Sequence, residues 1–229
     1  MRRVREAAGE NLDCMILYGS AASGDYHPEF SNVNLFCILR ETSFGALQKL
    51  APAVQWWQQQ KQPAPLLMTR AELEATTDVF TIELLDMQRH HRVLFGNDVL
   101  AGLSIPMKLH RVQVEYELRE KLILLRQKSL MTTGDKQLWE LLVRSASSFA
   151  TLFRHALIAL GEEPKNGKRD SVEQLAKKVG FDATAVHKVL DVREKKIEMK
   201  NLDVKDLFAR YLAAIEIVTA AVDKALDRA

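Results

Sequence analysis

The spacing of hydrophobic positions divides the chain into two parts. Up to about residue 105, short continuous apolar runs alternate with turn residues and with segments whose apolar positions recur every three to four residues. The runs are typical of buried strands and the segments of helices. Strands are predicted at 14–18, 33–39 and 66–68, with further strand candidates at 80–85 and 92–95. Helices are predicted at 2–10, after Ser43 as N-cap, and near Arg70, with Thr69 and Glu72 as a capping box.

After Pro106 the spacing is helical throughout and no strand pattern follows. Helices are predicted at 107–131, 136–160, 171–179, 183–196 and 204–226. The predicted fold class is therefore α+β: a mixed α/β domain at 1–105, followed by an all-α helical bundle at 106–229.

Composition narrows the class of protein. The chain has 229 residues, of which 47% are hydrophobic and 27% charged, as in soluble globular proteins. A net charge of +2 does not indicate a nucleic-acid partner, which would favour a concentrated basic face. No apolar stretch is long enough for a membrane span, and the N-terminus lacks an apolar signal region, so a cytoplasmic location is expected. Cys14 and Cys37 lie in apolar runs and are expected to be buried and reduced.

One segment carries candidate chemistry. Residues 17–20 read Leu-Tyr-Gly-Ser, and after eleven further residues 32–35 read Asn-Val-Asn-Leu. This resembles the nucleotidyltransferase superfamily (polymerase-beta-like fold), in which Gly-Ser is followed about ten residues later by Asp-x-Asp. Gly19 and Ser20 match that pattern, whereas Asn32 and Asn34 stand where the family has two metal-binding aspartates. The resemblance covers roughly residues 10–100. The order of an α/β domain and a helical bundle also resembles the minimal and small-molecule members.

The resemblance implies a nucleotidyltransferase-like domain at 1–105, with a site in the cleft between the two domains. It implies that Gly19 and Ser20 cradle the phosphates of a nucleoside triphosphate, and that Ser31 makes either a turn or a phosphate contact. In the family, Mg²⁺ bridges phosphate oxygens, and Mg²⁺ prefers anionic oxygen ligands. Because an asparagine is neutral, Asn32 and Asn34 remove most of the attraction for the metal. The leading hypothesis is a catalytically impaired protein that binds a nucleotide or a partner, with no metal ligand assigned.

Two alternatives stay open. The first is an active Mg²⁺-dependent enzyme that transfers a nucleoside monophosphate from a triphosphate to a small molecule or a protein. The family's third carboxylate would lie on the strand at 66–68, which has no acidic residue. Glu83 or Asp86 would then have to supply carboxylates, with Asp25 and Glu29 as weaker candidates. The second alternative is a structural helical oligomer that has no ligand. Homodimers occur among similar proteins, so a homodimer is expected by analogy only.

Adjacent histidines at 90 and 91 raise the question of a metal site. Neighbouring side chains on a strand point to opposite faces, and no cysteine or acidic residue stands at metal-site spacing. His90 and His91 are therefore predicted to be surface or half-buried residues.

Overall fold

The computed structural model describes residues 2–24, 26–165 and 167–226, and it has the predicted α+β class. The chain folds into two compact units, Met1–Met107 and Lys108–Ala229. The first unit contains α1 (Arg2–Ala8), a 3-10 turn (Gly9–Asn11), β1 (Leu12–Tyr18), α2 (Ser20–Ser23), β2 (Asn34–Leu39), α3 (Phe44–Gln59), β3 (Leu66–Thr69), α4 (Arg70–Ala75), α5 (Thr81–Arg89) and β4 (His91–Phe95). The second contains α6 (His110–Leu130), α7 (Asp135–Ala159), α8 (Lys168–Val179), α9 (Thr184–Arg193), a 3-10 turn (Met199–Asn201) and α10 (Val204–Leu226).

A four-stranded mixed sheet organises the first unit. The strand order is β3-β2-β1-β4, with β1 antiparallel to both neighbours and β2 parallel to β3. Side chains alternate between two apolar clusters, because successive strand residues point to opposite faces. Ile16 and Phe36 belong to one cluster, and Met15 and Leu50 to the other. The strands predicted at 14–18, 33–39, 66–68 and 92–95 are confirmed to within two residues at each end.

The strand predicted at 80–85 is wrong, because this segment is helix α5. Leu84 and Met87 are both buried, three residues apart, and pack in the cluster with Ile16 and Phe36. A short apolar run does not distinguish a strand from a buried helix by its period alone. The two candidate carboxylates of this segment, Glu83 and Asp86, therefore lie on a helix and not on a strand.

The predicted helix caps of the first unit are confirmed. The Ser43 side chain accepts a hydrogen bond from the Ala46 amide at the start of α3. At α4, the Thr69 side chain accepts from the Glu72 amide, and the Glu72 carboxylate accepts from the Thr69 amide. Each pair satisfies backbone donors that a first helical turn leaves without partners.

Both cysteines have the predicted state. Cys14 and Cys37 are free and fully buried, in the two different apolar clusters of the sheet. Burial, with a smaller contribution from Cys14, raises the pKa of the Cys37 thiol to about 12. Cys37 therefore stays protonated and packs as a small apolar residue.

The second unit is built around α7, which packs against α6, α8, α9 and α10. Its largest buried side chains include Phe149, Phe153 and Tyr211. Phe149 meets the Tyr211 ring edge-on, at a centroid distance of 6.0 Å. Within the described residues, no helix has the length and apolar content to cross a membrane.

Candidate functional site

The candidate site lies where the central strand β1 ends. Tyr18, the last residue of β1, is paired with Asn34 of β2 on one side and with His91 of β4 on the other. Gly19 follows with φ +73° and precedes the short helix α2. Its carbonyl oxygen accepts hydrogen bonds from the amides of Ala22 (2.9 Å) and Ser23 (3.1 Å). The sheet register thus brings three strands to one turn.

Gly19 and Asn34, which are fifteen positions apart in the sequence, are in direct contact. A Cβ atom placed on Gly19 would lie 2.9 Å from Nδ2 of Asn34. Positive φ is a conformation that side chains other than glycine's rarely adopt. Glycine at this position therefore allows both the sharp turn and the approach of the Asn34 amide.

The remaining residues of the predicted site differ in their surroundings. Asn34 is half-buried as the first residue of β2, while Asn32 is exposed two residues before the strand begins. Ser20 is half-buried at the start of α2. The Ser31 hydroxyl accepts a hydrogen bond from the His27 amide (3.0 Å), and the Ser31 amide donates to the His27 carbonyl (2.8 Å). Ser31 thus closes a turn in the loop. Asp25 lies outside the described residues.

The oxygen donors that the structure describes at this end of the sheet do not fit a magnesium site. Asn34 contributes a neutral amide, and β3 has no acidic residue at any of its four positions. Within the described residues, no group of three or more His, Cys, Asp or Glu side chains is arranged to hold a metal ion. Mg²⁺ prefers carboxylate and phosphate oxygens in near-octahedral geometry.

Glu83 is the acidic candidate with an electrostatic link to this site. Burial raises the pKa of the Tyr18 hydroxyl, and the negative charge of Glu83 raises that pKa further, by a smaller amount. Glu83 is exposed on α5, and Asp86 is half-buried one turn later. Glu29, the other loop candidate, is exposed.

His91 and Asp98 form a pair that the sequence pattern did not predict. Nδ1 of His91 donates to the Met87 carbonyl (2.8 Å), and Nε2 lies 2.9 Å from Oδ2 of Asp98. The carbonyl oxygen of Met87 and the carboxylate of Asp98 therefore hold the His91 ring at both of its nitrogens. His90 and His91 are both half-buried, as predicted.

The environment of Asp98 favours its charged form. Burial acts to raise the pKa of Asp98, but hydrogen bonds from His91 and from the amides of Leu100 and Ala101 outweigh burial and lower it. The His91–Asp98 pair joins β4 to the turn that follows β4. His91 is the residue of this pair that lies opposite Tyr18 in the sheet. A histidine followed seven residues later by the aspartate of a Gly-Asn-Asp turn was the available sequence signal.

Comparison with solved structures agrees with this architecture. The chain has a nucleotidyltransferase-like fold. It is similar to the crystal structure of spectinomycin adenyltransferase AAD(9) from Enterococcus faecialis with ATP and spectinomycin, with a TM-score of 0.58. The match covers 94% of this chain and 96% of that chain at 15% sequence identity, so it shows the fold alone. No protein-family model matches the sequence, and no curated protein matches it.

Proposed function

We propose that this protein binds a nucleoside triphosphate at the end of β1, and that it has lost most or all of the metal-dependent transfer reaction. The observation that carries the proposal is the Asn34 amide, which lies against Gly19 at a position where the resemblance implies a metal-binding aspartate. The similar protein AAD(9) was crystallised with ATP. The nucleotide-binding residues we propose are Gly19, Ser20 and Ser31.

The chemistry of an amide differs from that of a carboxylate in a way that supports this proposal. A carboxylate repels a triphosphate unless a cation lies between them, whereas an amide donates N–H groups directly to phosphate oxygens. Asn34 and the Ser20 hydroxyl therefore favour direct contact with phosphate. The loss of metal ligands removes several kcal/mol of transition-state stabilisation, which lowers the rate by orders of magnitude.

Calorimetric titration with ATP, GTP, CTP and UTP tests the proposal, in magnesium and in EDTA. We expect at least one nucleotide to bind with a Kd that changes less than about threefold between the two conditions, a difference under 1 kcal/mol. Asn34→Asp should weaken binding in EDTA and make it magnesium-dependent. Asn201→Asp, at an exposed position in the second unit, is the matched control and should leave both titrations unchanged. Efficient Mg²⁺-dependent incorporation of a labelled nucleoside monophosphate into any acceptor would contradict the proposal.

An active transferase is the second candidate, and the electrostatic effect of Glu83 on Tyr18 favours it. In that case Glu83, with Asp86, supplies the carboxylates that positions 32 and 34 lack. Glu83→Ala would then abolish incorporation of label from an α-labelled triphosphate. Glu74→Ala, at an exposed position on α4, would leave incorporation unchanged. Equal incorporation by both variants would exclude this role for Glu83.

The third candidate is a structural helical oligomer without a ligand, and the exposed apolar residues of α6 favour it. It predicts that none of the four nucleotides produces heat of binding in either condition. Calorimetry on the full chain thus separates this candidate from the other two.

A further inference from the structure

Helix α6 is apolar on two faces, of which one is exposed. Val114, Leu118, Leu122 and Leu125 are buried on its inner face. A second set of large apolar residues on α6 is exposed, and we call it the outer face of α6. Its members are Leu109 (38% exposed), Val112 (52%), Tyr116 (63%), Ile123 (52%) and Leu130 (87%). A single exposed apolar residue is ordinary, whereas a contiguous apolar patch marks an interaction site.

The residues of the outer face follow the repeat of a coiled-coil seam. Leu109, Val112 and Tyr116 are spaced by three and then four residues, and Ile123 and Leu130 follow at intervals of seven. Apolar residues that recur every 3.5 positions keep one stripe of a helix turned towards a partner helix. The intervening positions of the same repeat are the arginines at 119 and 126.

Those arginines are already paired within the chain. Arg119 forms ion pairs with Glu115 (2.5 Å) and with Asp223 of α10 (3.0 Å). Arg126 pairs with Glu216 of α10 at 2.6 Å. A charge that enters an interface with its counter-ion avoids the large penalty of a buried unpaired charge. The seam can therefore be covered although it contains two arginines.

We propose that the outer face of α6 is the interface of a homodimer, in which α6 of each copy packs antiparallel about a twofold axis at Arg119 and Glu120. Four of the five outer-face residues are symmetric about that point: Tyr116 and Ile123 are equally far from it, and so are Leu109 and Leu130, whereas Val112 comes opposite Gln127 of the second copy. A twofold axis there brings Tyr116 opposite Ile123 of the second copy. A twofold interface must be self-complementary in this way.

Charge complementarity supports the same arrangement. Arg119 and Glu120 are adjacent and opposite in sign, and their side chains are 48% and 46% exposed. An antiparallel crossing at this point brings Arg119 of one copy next to Glu120 of the other, twice per dimer. A parallel arrangement would instead bring like charges together, which disfavours it.

Two further apolar residues widen the exposed surface of α6. Leu124 and Met131, which are 40% and 79% exposed, follow directly after Ile123 and Leu130 in the sequence. A standard interface buries about 800 Å² on each partner, so a stable dimer needs contacts beyond the five outer-face residues.

Sedimentation velocity of the full chain tests the proposal. We expect a dimer at micromolar concentration, and we expect Ile123→Glu to give a folded monomer because it places a charge at the centre of the seam. Phe44→Glu is the matched control, since Phe44 is 75% exposed in the first unit, and it should remain a dimer. Circular dichroism verifies that each variant is folded. A monomeric wild-type chain would overturn the proposal, and a dimeric Ile123→Glu variant would also overturn it.

A cross-link at the proposed axis tests the geometry separately. The native thiols Cys14 and Cys37 are buried, so an introduced cysteine on the surface reports its own surroundings. Glu120→Cys should oxidise to a disulfide-linked dimer, because a residue beside a twofold axis meets its own copy. Glu163→Cys, in the loop after α7, should stay monomeric on a non-reducing gel. Equal cross-linking of the two variants, or no cross-linking of Glu120→Cys, would contradict the antiparallel crossing.

Discussion

The α-carbon of Gly19 lies against the side-chain amide of Asn34, so that a Cβ atom at position 19 would lie 2.9 Å from Nδ2. The contact follows from the sheet register, which pairs Tyr18 with Asn34. Gly19 therefore has two constraints, its positive φ and the amide beside it. These constraints make it possible to test whether the amide is held in the site.

Gly19→Ala should destabilise the chain and displace the Asn34 amide. A non-glycine residue at φ +73° costs about 1–2 kcal/mol, and the contact with Asn34 adds to it. We expect the free energy of unfolding in urea to fall by more than in Gly24→Ala, which has φ +84° and open space around it. In an Asn34→Ala background the cost of Gly19→Ala should become smaller. An unchanged cost would show that the amide does not constrain position 19.

Gly96→Ala should be the most destabilising glycine substitution in the first unit. A Cβ atom at this position would overlap the backbone carbonyl oxygen of Asp13, and φ is +74°. Strand backbone moves less easily than the end of a side chain. We therefore expect the free energy of unfolding to fall by about 3 kcal/mol, from backbone strain and overpacking together. Gly9→Ala has φ +54° and no neighbour within 4 Å, so it isolates the backbone strain. Equal losses in the two variants, measured by urea unfolding, would contradict the close approach at Gly96.

Asp98→Asn should change how stability depends on pH. The folded state lowers the pKa of Asp98 from its ordinary value of 3.8. A lowered folded-state pKa stabilises the fold above the unfolded pKa, and this contribution disappears as pH falls through the folded pKa. The wild type should therefore exceed Asp98→Asn in urea midpoint from about pH 5 upwards, and the gap should narrow below about pH 4.

The control for this titration is Asp78→Asn, at an exposed position between α4 and α5. The urea midpoint of Asp78→Asn should differ from the urea midpoint of the wild type by nearly the same amount at every pH. A gap between wild type and Asp98→Asn that is constant from pH 7 to pH 3 would show that the His91–Asp98 pair does not favour the charged carboxylate.

Tyr211 and Ser145 should give unequal losses of stability when each is replaced. The Tyr211 hydroxyl lies fully buried, 3.1 Å from the Ser145 oxygen, which itself donates to the Leu142 carbonyl. Tyr211→Phe removes a hydrogen bond and should cost about 1 kcal/mol. Ser145→Ala leaves the buried tyrosine hydroxyl without its partner and should cost about 1–3 kcal/mol. Thermal or urea unfolding compares them, and a larger loss for Tyr211→Phe would contradict this assignment.

Local signals in the sequence were sufficient for much of the fold. The apolar runs of β1 and β2 predicted two buried strands, and Ser43 and Thr69 predicted the starts of two helices. Such features depend on a few consecutive residues, whose burial or capping needs no knowledge of distant parts. Helix α5 was wrongly predicted as a strand. Its short apolar run fits the period of a strand and that of a helix, and the packing of Leu84 in the apolar cluster favours the helix.

By itself, the sequence determined the fold class, four of the strands and the helical second part, and it placed Asn32 and Asn34 after the Gly19-Ser20 segment. Only the tertiary structure decided that Asn34 contacts Gly19, that His91 pairs with Asp98, and that the apolar side chains of the outer face of α6 are exposed among the described residues. The reason is physical: local spacing encodes which face of an element is apolar, whereas the register between strands and the packing of helices determine which distant residues meet.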